Sequence, residues 1–334
     1  MRINREILLK LTRQFVSKTV YENRNLVCIY LTGSLIREEP LLGGTTDIDL
    51  FFIHDREPPS KREIVPLSED IHFDIAHLPQ KVFRQPREIR SQPWIGSFIC
   101  QDPILLHGTQ HWFEYTQASI CAQYDRPEFK LLKARPLIEE ARSDWMEINL
   151  GSITNPVDLV WKYLKSLENA SNAIAVLSGP PLTDRRFLMD FPERAQEINR
   201  PGLTAGFSDI MMPRSISVEL WKKWLNQWDA LMSQLGKEVS CPPSLQDCRK
   251  NYYSKAASVI WDTYPEAALW PIYKSWTKAI RYLSEKSSFL KEWEDISLVL
   301  GFINESFNIN VQKLDEYLDI VEDSLDDWQR EHGL

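Results

Sequence analysis

Two short apolar runs joined by a glycine-rich turn constrain the fold of this chain more than any other feature. The first run, LVCIYLT at 26–32, is followed by Gly33-Ser34, and the second is TDIDLFFI at 46–53. Runs this short, rich in β-branched and aromatic residues, predict buried strands. A third run, DIHFDIAHL at 70–78, alternates apolar and polar residues and predicts another strand. The sequence therefore predicts a small sheet near the N-terminus.

The chain around this sheet is predicted to be helical. Helical spacing is present at 3–22, and a short helix is expected at 34–40. A short strand is expected at 104–107, and the charged, Pro-rich segment 55–68 is predicted to be a loop. Later helices are expected at 126–147, 156–179, 218–236, 247–263, 266–284, 287–300 and 309–329, with a long connecting segment at 179–214. Eleven of the twelve tryptophans follow residue 110, and the stripe Trp221, Trp224 and Trp228 indicates core packing.

This pattern predicts an α+β fold in two domains. A mixed-sheet domain is expected at residues 1–110, and an all-helical domain at residues 111–334. The length of 334 residues agrees with two domains of about 100–200 residues each. Hydrophobic residues make up 43% of the chain and charged residues 26%, which excludes wholesale disorder.

Charge and hydropathy limit the partners of the chain. With 39 Lys+Arg against 47 Asp+Glu, the net charge of −8 argues against a general nucleic-acid binder, although a local basic site stays open. No run approaches the ~20 apolar residues that span a bilayer. The N-terminal segment MRINREILLKLTRQF lacks the apolar core of a secretory signal. We therefore expect a cytoplasmic protein without membrane contact.

The cysteines indicate no metal centre. They are odd in number, form no CxxC pair, and have no spacing typical of zinc sites; they are Cys28, Cys100, Cys121, Cys241 and Cys248. We expect them to be reduced cytosolic thiols, some of them buried.

Two carboxylates on the second predicted strand indicate chemistry. Side chains alternate faces along a strand, so Asp47 and Asp49 share one face while the apolar residues between and after them face a core. Two carboxylates this close repel each other unless a cation lies between them, and Mg²⁺ suits that arrangement. Asp74 on the third strand is expected to join them if the two strands are neighbours.

The turn before these aspartates has a matching pattern. A glycine at the end of a strand lets the backbone approach a phosphate closely, so Gly33 indicates phosphate binding. Ser34 adds a hydroxyl donor, and a helix beginning there would favour an anion at its N-terminus. Arg37 could reach a phosphate, or could be a solvated surface arginine.

The run LTGSLIREEPLLGGTTDIDLFFI resembles the core signature of the polymerase-beta-like nucleotidyltransferase superfamily. That signature has a strand, a Gly-Ser turn, a short helix, a strand with Asp-x-Asp and a third acidic residue on a later strand. The resemblance covers about residues 25–80, and size and helical tail look most like stand-alone bacterial small-molecule nucleotidyltransferases.

The resemblance implies roles for individual residues. Gly33 and Ser34 would hold the triphosphate of ATP or another nucleoside triphosphate, Asp47 and Asp49 would ligate Mg²⁺, and Asp74 would be the third ligand and help activate the acceptor hydroxyl. In related enzymes a lysine of the helical domain often reaches the triphosphate, and Lys165 is the candidate. The active site is then expected in a cleft between the domains.

Three functions remain open at this point. The first is transfer of a nucleoside monophosphate, AMP from ATP, to a hydroxyl of a small molecule such as an antibiotic. The second is transfer to a protein or RNA acceptor. The third is a nucleotide-binding regulatory or toxin–antitoxin module with little catalysis, which loss of the third carboxylate from the cluster would favour. A monomer and a homodimer are both compatible with the sequence.

Overall fold

A computed structural model describes residues 3–212, 216–236, 241–283 and 287–334 of the chain. It divides into two compact units, Met1–Phe129 and Lys130–Leu334. Each unit is described by itself below.

A five-stranded mixed sheet forms the first unit. The strands are β1 Leu26–Thr32, β2 Thr46–His54, β3 Arg62–Pro66, β4 Ile71–Pro79 and β5 Ile104–Gly108. Their order across the sheet is β3-β4-β2-β1-β5. The pair β2 and β4 is parallel, and the other three pairs are antiparallel. This sheet, together with the helices that follow it, confirms the predicted α+β fold.

Helices cover both faces of the sheet. Helix α1, Arg5–Glu22, packs against one face, where Leu8 and Val16 join a buried cluster with Ile48, Leu50 and Phe52. The other face is covered by α2 Pro86–Arg90, α3 Ile95–Cys100 and α4 Trp112–Cys121. Because α4 contacts α2, α3 and strands β1 and β5, the first compact unit extends past residue 110.

Strand β3 corrects one sequence prediction. Residues 55–68 were expected to be a loop, but Arg62–Pro66 pairs antiparallel with β4 at the edge of the sheet. Charged residues and a terminal proline are common on edge strands, where one side of the backbone faces solvent. The composition that suggested a loop is therefore also that of an edge strand.

Among its described residues the second unit contains helices and no strand. Its helices are α5 Pro127–Asn149, α6 Pro156–Ala175, α7 Phe187–Glu197, α8 Gly202–Met211, α9 Val218–Leu235, α10 Arg249–Ile260, α11 Pro265–Ile280, α12 Ser288–Leu300 and α13 Glu305–Glu331. The tryptophan stripe of α9 is buried, as predicted: Trp221, Trp224 and Trp228 are each at most 3% exposed. Residue 284, at the end of the predicted helix 266–284, lies outside the described residues.

The prediction of a long connecting segment at 179–214 is wrong, since this part of the chain contains α7 and α8. Its apolar residues form a buried aromatic cluster: the ring centroids of Phe187 and Phe207 lie 5.3 Å and 5.2 Å from that of Trp270 on α11. Tertiary packing of this kind outweighs the local effect of Pro and Gly. Residues 213–214 of the segment lie outside the described residues. Among the described helices, none is both long enough and apolar enough to cross a membrane.

The prediction that the cysteines are reduced thiols is wrong for two of them. Cys100 ends α3 and Cys121 ends α4, and the two form a disulfide with their Cα atoms 5.5 Å apart. The sequence separation of 21 residues gave no signal, because the packing of α3 on α4 brings the two together. The disulfide joins two helices on the same face of the sheet.

Thiol counting tests this disulfide. We expect the denatured protein, prepared without reductant, to react with a thiol reagent at three cysteines, Cys28, Cys241 and Cys248. After reduction we expect all five to react. Cys100→Ser is the matched control, and without reductant it should show four reactive thiols. Five reactive thiols in the untreated wild type would show that the disulfide does not form.

Candidate functional site

Three carboxylates converge on adjacent central strands. The parallel pairing of β2 with β4 places Asp49 directly opposite Asp74, while Asp47 lies opposite His72. One ligand oxygen from each of the three aspartates lies within 4.8 Å of the others. Asp47 and Asp74 are buried, at 8% and 5% exposure, and Asp49 is half-buried. The sequence predicted this convergence on the condition that the two strands are neighbours, and the structure brings the three aspartates together.

The donor set of this cluster fits a hard divalent cation. Three carboxylates within this distance repel one another when charged, and a cation between them relieves that repulsion. Mg²⁺ prefers oxygen ligands and is usually bound by one or two carboxylates together with water and substrate phosphates. Asp47, Asp49 and Asp74 are therefore residues that could hold one or two Mg²⁺ ions.

Arg62 of the edge strand binds the third carboxylate. Its Nε donates to Asp74 Oδ1 over 2.6 Å, and its Nη2 donates to Asp74 Oδ2 over 2.5 Å. Because Ile64 lies opposite Asp74, Arg62 is a diagonal neighbour of Asp74 on the same face of the sheet. The sequence analysis missed this residue, since the segment containing it was interpreted as a loop.

Gly33 lies against the carboxylate of Asp49. It begins a 3-10 turn, Gly33–Ile36, in place of the short helix predicted at 34–40. Its φ of +73° is in the left-handed region, and a Cβ added there would lie 1.8 Å from Asp49 Oδ2. Glycine is therefore required at this position by both the backbone conformation and the approach of the carboxylate.

The hydroxyl of Ser34 is bound within the same turn. It lies 2.9 Å from the hydroxyl of Thr46 and 3.4 Å from the backbone carbonyl oxygen of Asp47. The Thr46 hydroxyl donates to that same carbonyl over 3.0 Å. Ser34 thus connects the turn to the first residues of β2, which fixes the position at which Asp47 enters the strand.

The other two predicted phosphate ligands have different surroundings. Arg37 is exposed, and its backbone N–H donates to Ser34 O over 3.0 Å. Lys165 lies on α6 in the helical unit, where its Nζ is 2.9 Å from Glu168 Oε2. The structure therefore groups Gly33, Ser34 and the three aspartates, and it gives Lys165 an acidic partner within its own unit.

Lys165 belongs to a partly buried ionic network that the sequence did not reveal. Lys274 on α11 binds both Glu168 Oε1 and Asp184 Oδ1, each at 2.5 Å. Burial alone would lower the pKa of Lys274, but Asp184 and Glu168 raise it overall. Burial would raise the pKa of Asp184, but Lys274 lowers it overall. Lys274 is 106 positions from Glu168 and 90 from Asp184 along the chain, so no local pattern could have shown this network.

Two histidines share a hydrogen bond on the opposite face of the sheet. His54 Nε2 lies 3.0 Å from His77 Nδ1, and His77 Nε2 lies 3.4 Å from Glu63 Oε2. Burial lowers the pKa of His54; the neighbouring His77 adds to this and Asp55 opposes it. Burial also lowers the pKa of His77, although Glu63 opposes it.

This pair predicts a pH-dependent stability. Because both folded-state pKa values lie below the unfolded value of about 6.5, the unfolded chain binds more protons as the pH falls through that value. Stability should therefore be complete above about pH 6.5 and decline below it. Denaturant unfolding of wild type and His77→Gln at pH 7.5 and 5.0 measures this. An equal decline in both proteins would contradict a contribution from the pair.

Comparison with known proteins defines no family for this chain. No family model matches the sequence. Over 145 residues it is 23% identical to an isoleucine–tRNA ligase of Cytophaga hutchinsonii, a match that covers 42% of this chain and 12% of that protein. The chain thus spans about an eighth of the length of this relative, and the match carries no function to it.

Proposed function

We propose that this chain is a Mg²⁺-dependent nucleotidyltransferase that moves AMP from ATP to a hydroxyl of a small molecule. The observation that carries the proposal is the convergence of Asp47, Asp49 and Asp74 beside the Gly33-Ser34 turn. In this reaction the acceptor oxygen bonds to the α-phosphorus, pyrophosphate leaves, and the proton of the hydroxyl passes to a base. Alignment and neutralisation of charge supply most of the rate gain in such transfers.

The residues of the chain have separate tasks in this proposal. Asp47 and Asp49 would hold Mg²⁺, which neutralises charge on the triphosphate. Gly33 leaves room for the Asp49 carboxylate, and the Ser34–Thr46 contact fixes the start of β2. Asp74 is the residue that would take the proton of the acceptor hydroxyl, because it lies beside the other two carboxylates.

The complete carboxylate cluster favours an enzyme over a regulatory module. A module that only binds nucleotide has no need for the third carboxylate, yet Asp74 lies in register with Asp49 and is buried.

The net charge of the chain supports a small, cationic acceptor over RNA, since a charge of −8 opposes the approach of a polyanion. A cytoplasmic location stays a prediction, and so does a monomer or homodimer. The Cys100–Cys121 disulfide is unusual for a reducing compartment.

Nucleotide titration tests the proposal. Each of the four nucleoside triphosphates would be titrated calorimetrically into the wild type, once with Mg²⁺ and once with EDTA. We expect binding that requires Mg²⁺ and is tightest for ATP. The same protein would then be screened with hydroxyl-bearing small molecules for release of pyrophosphate. Absence of binding by all four nucleotides would overturn the mechanism in which the donor binds first.

A further inference from the structure

We propose that Arg62 is an internal counter-cation that occupies Asp74 and weakens metal binding until Mg²⁺ arrives together with a nucleotide. The inference rests on the proposed function and adds a regulatory contact to the same site. It is carried by the bidentate contact of Arg62 with both oxygens of Asp74. A guanidinium and a carboxylate in this geometry form one of the stronger pairs of charged hydrogen bonds.

Because of this contact, Arg62 and a divalent ion from the solvent would compete for the carboxylate of Asp74. A divalent ion held by Asp47 and Asp49 would lie next to Asp74, because one ligand oxygen of each of the three carboxylates lies within 4.8 Å of the others. If Asp74 also binds the ion, the guanidinium of Arg62 and the ion repel each other across a single carboxylate. Full ligation by Asp74 therefore requires Arg62 to release at least one oxygen.

The two partners differ in how easily they can move. Asp74 is 5% exposed and belongs to the inner strand β4, so its carboxylate is fixed by the sheet. Arg62 is half-exposed and belongs to the edge strand β3, so its guanidinium can exchange Asp74 for water. Arg62 is thus the partner that leaves, and no rearrangement of the sheet is needed.

Release of Arg62 depends on the charge that enters the site. A bare divalent ion adds positive charge beside the guanidinium, whereas an ion carried by a triphosphate brings a negative excess. The second combination favours displacement of Arg62 toward the anionic nucleotide. The wild type should therefore bind metal alone weakly and bind it well only with nucleotide.

Metal titration without nucleotide tests the role of Arg62. The probe is Mn²⁺, an oxygen-preferring ion that can be followed by electron paramagnetic resonance. We expect Arg62→Gln to bind Mn²⁺ about tenfold more tightly than wild type, the effect of removing one unit charge beside a divalent ion. Arg62→Lys keeps the charge and should stay close to wild type. Arg56→Gln is the matched control, since Arg56 is an exposed arginine of the preceding loop that pairs with Asp55.

Thermal unfolding separates this role from a purely structural one. Arg62→Gln should melt at a lower temperature in EDTA, because the buried Asp74 loses its bidentate contact with Arg62, and Mg²⁺ should restore the loss. A lower melting temperature that Mg²⁺ does not restore, with unchanged Mn²⁺ affinity, would overturn the inference and leave the metal site standing. In an Asp74→Asn background the guanidinium is no longer held at the cluster, so Arg62→Gln should change Mn²⁺ affinity much less than it does when Asp74 is present, and an undiminished change would also contradict the inference.

The same titration distinguishes the two levels of the proposal. If Mn²⁺ binds wild type and Arg62→Gln equally, the regulatory contact is wrong and the nucleotidyltransferase proposal is unaffected. If neither protein binds Mn²⁺, with or without ATP, the metal site itself is wrong and both proposals fail.

Discussion

Replacing Asp47 and Asp49 by asparagine should abolish metal-dependent nucleotide binding and leave the fold intact. The substitution keeps the size of both side chains and removes two of the three charges that could hold a divalent ion. We expect affinity for Mg²⁺-ATP and any turnover to fall by about 100-fold or more, since metal neutralisation is worth several kcal/mol in such transfers. Calorimetric titration with Mg²⁺-ATP measures the first quantity.

A matched control lies at the other end of the same strand. Asp55 follows β2 directly and pairs with Arg56, outside the carboxylate cluster. Asp55→Asn should bind Mg²⁺-ATP like wild type. The double variant should still unfold cooperatively in EDTA, because asparagine keeps the size of both side chains and the substitution removes repulsion within the cluster. Normal binding of Mg²⁺-ATP by a folded Asp47→Asn/Asp49→Asn protein would show that these carboxylates do not hold the metal.

Gly33→Ala should destabilise the sheet unit and impair the site together. A left-handed backbone costs a non-glycine residue about 1–2 kcal/mol. In addition, the new Cβ would lie 1.8 Å from Asp49 Oδ2, so the carboxylate must move. We expect the free energy of unfolding to fall by at least about 2 kcal/mol, with loss of Mg²⁺-dependent nucleotide binding. Denaturant unfolding and calorimetry measure the two effects.

Gly44→Ala separates backbone strain from the collision with the carboxylate. Gly44 has a φ of +77°, close to that of Gly33, but nothing lies within 4 Å of a Cβ added there. It should therefore lose only the backbone contribution, about 1–2 kcal/mol, and keep nucleotide binding. Equal losses of stability and binding in the two variants would mean that the approach of Asp49 to Gly33 has no role.

The sheet was largely predictable because its inner strands have strong local patterns. The apolar run of β1 begins and ends where the structure has it, at Leu26 and Thr32. The alternation around Asp47 and Asp49 also fixed which side chains face the core, since residue parity alone determines the face of a strand. The position of Asp74 depended on a further condition, that β4 lies next to β2, and only the structure supplies it.

Contacts between distant segments could not be predicted from the sequence. Arg62 belongs to an edge strand whose composition is that of a loop, so its pairing with Asp74 had no local signal. The same holds for the disulfide between α3 and α4 and for the pairing of Lys274 with Glu168. Each depends on how helices or strands pack, which single-sequence patterns do not encode. The Mg²⁺ and nucleotide assignments remain predictions that the experiments above test.

The parallel pairing of β2 with β4 has a consequence for how this protein could tolerate change. Asp49 and Asp74 are neighbours only because the two strands pair in this register. Inserting a single residue within β4 before Asp74 would therefore turn that carboxylate to the opposite face of the sheet, which α1 covers. Residues 55–61, between β2 and β3, carry no such restriction. In a library of single-residue insertions, we expect the variants that keep Mg²⁺-dependent nucleotide binding to have their insertions within residues 55–61. We expect no such variants with insertions in β4.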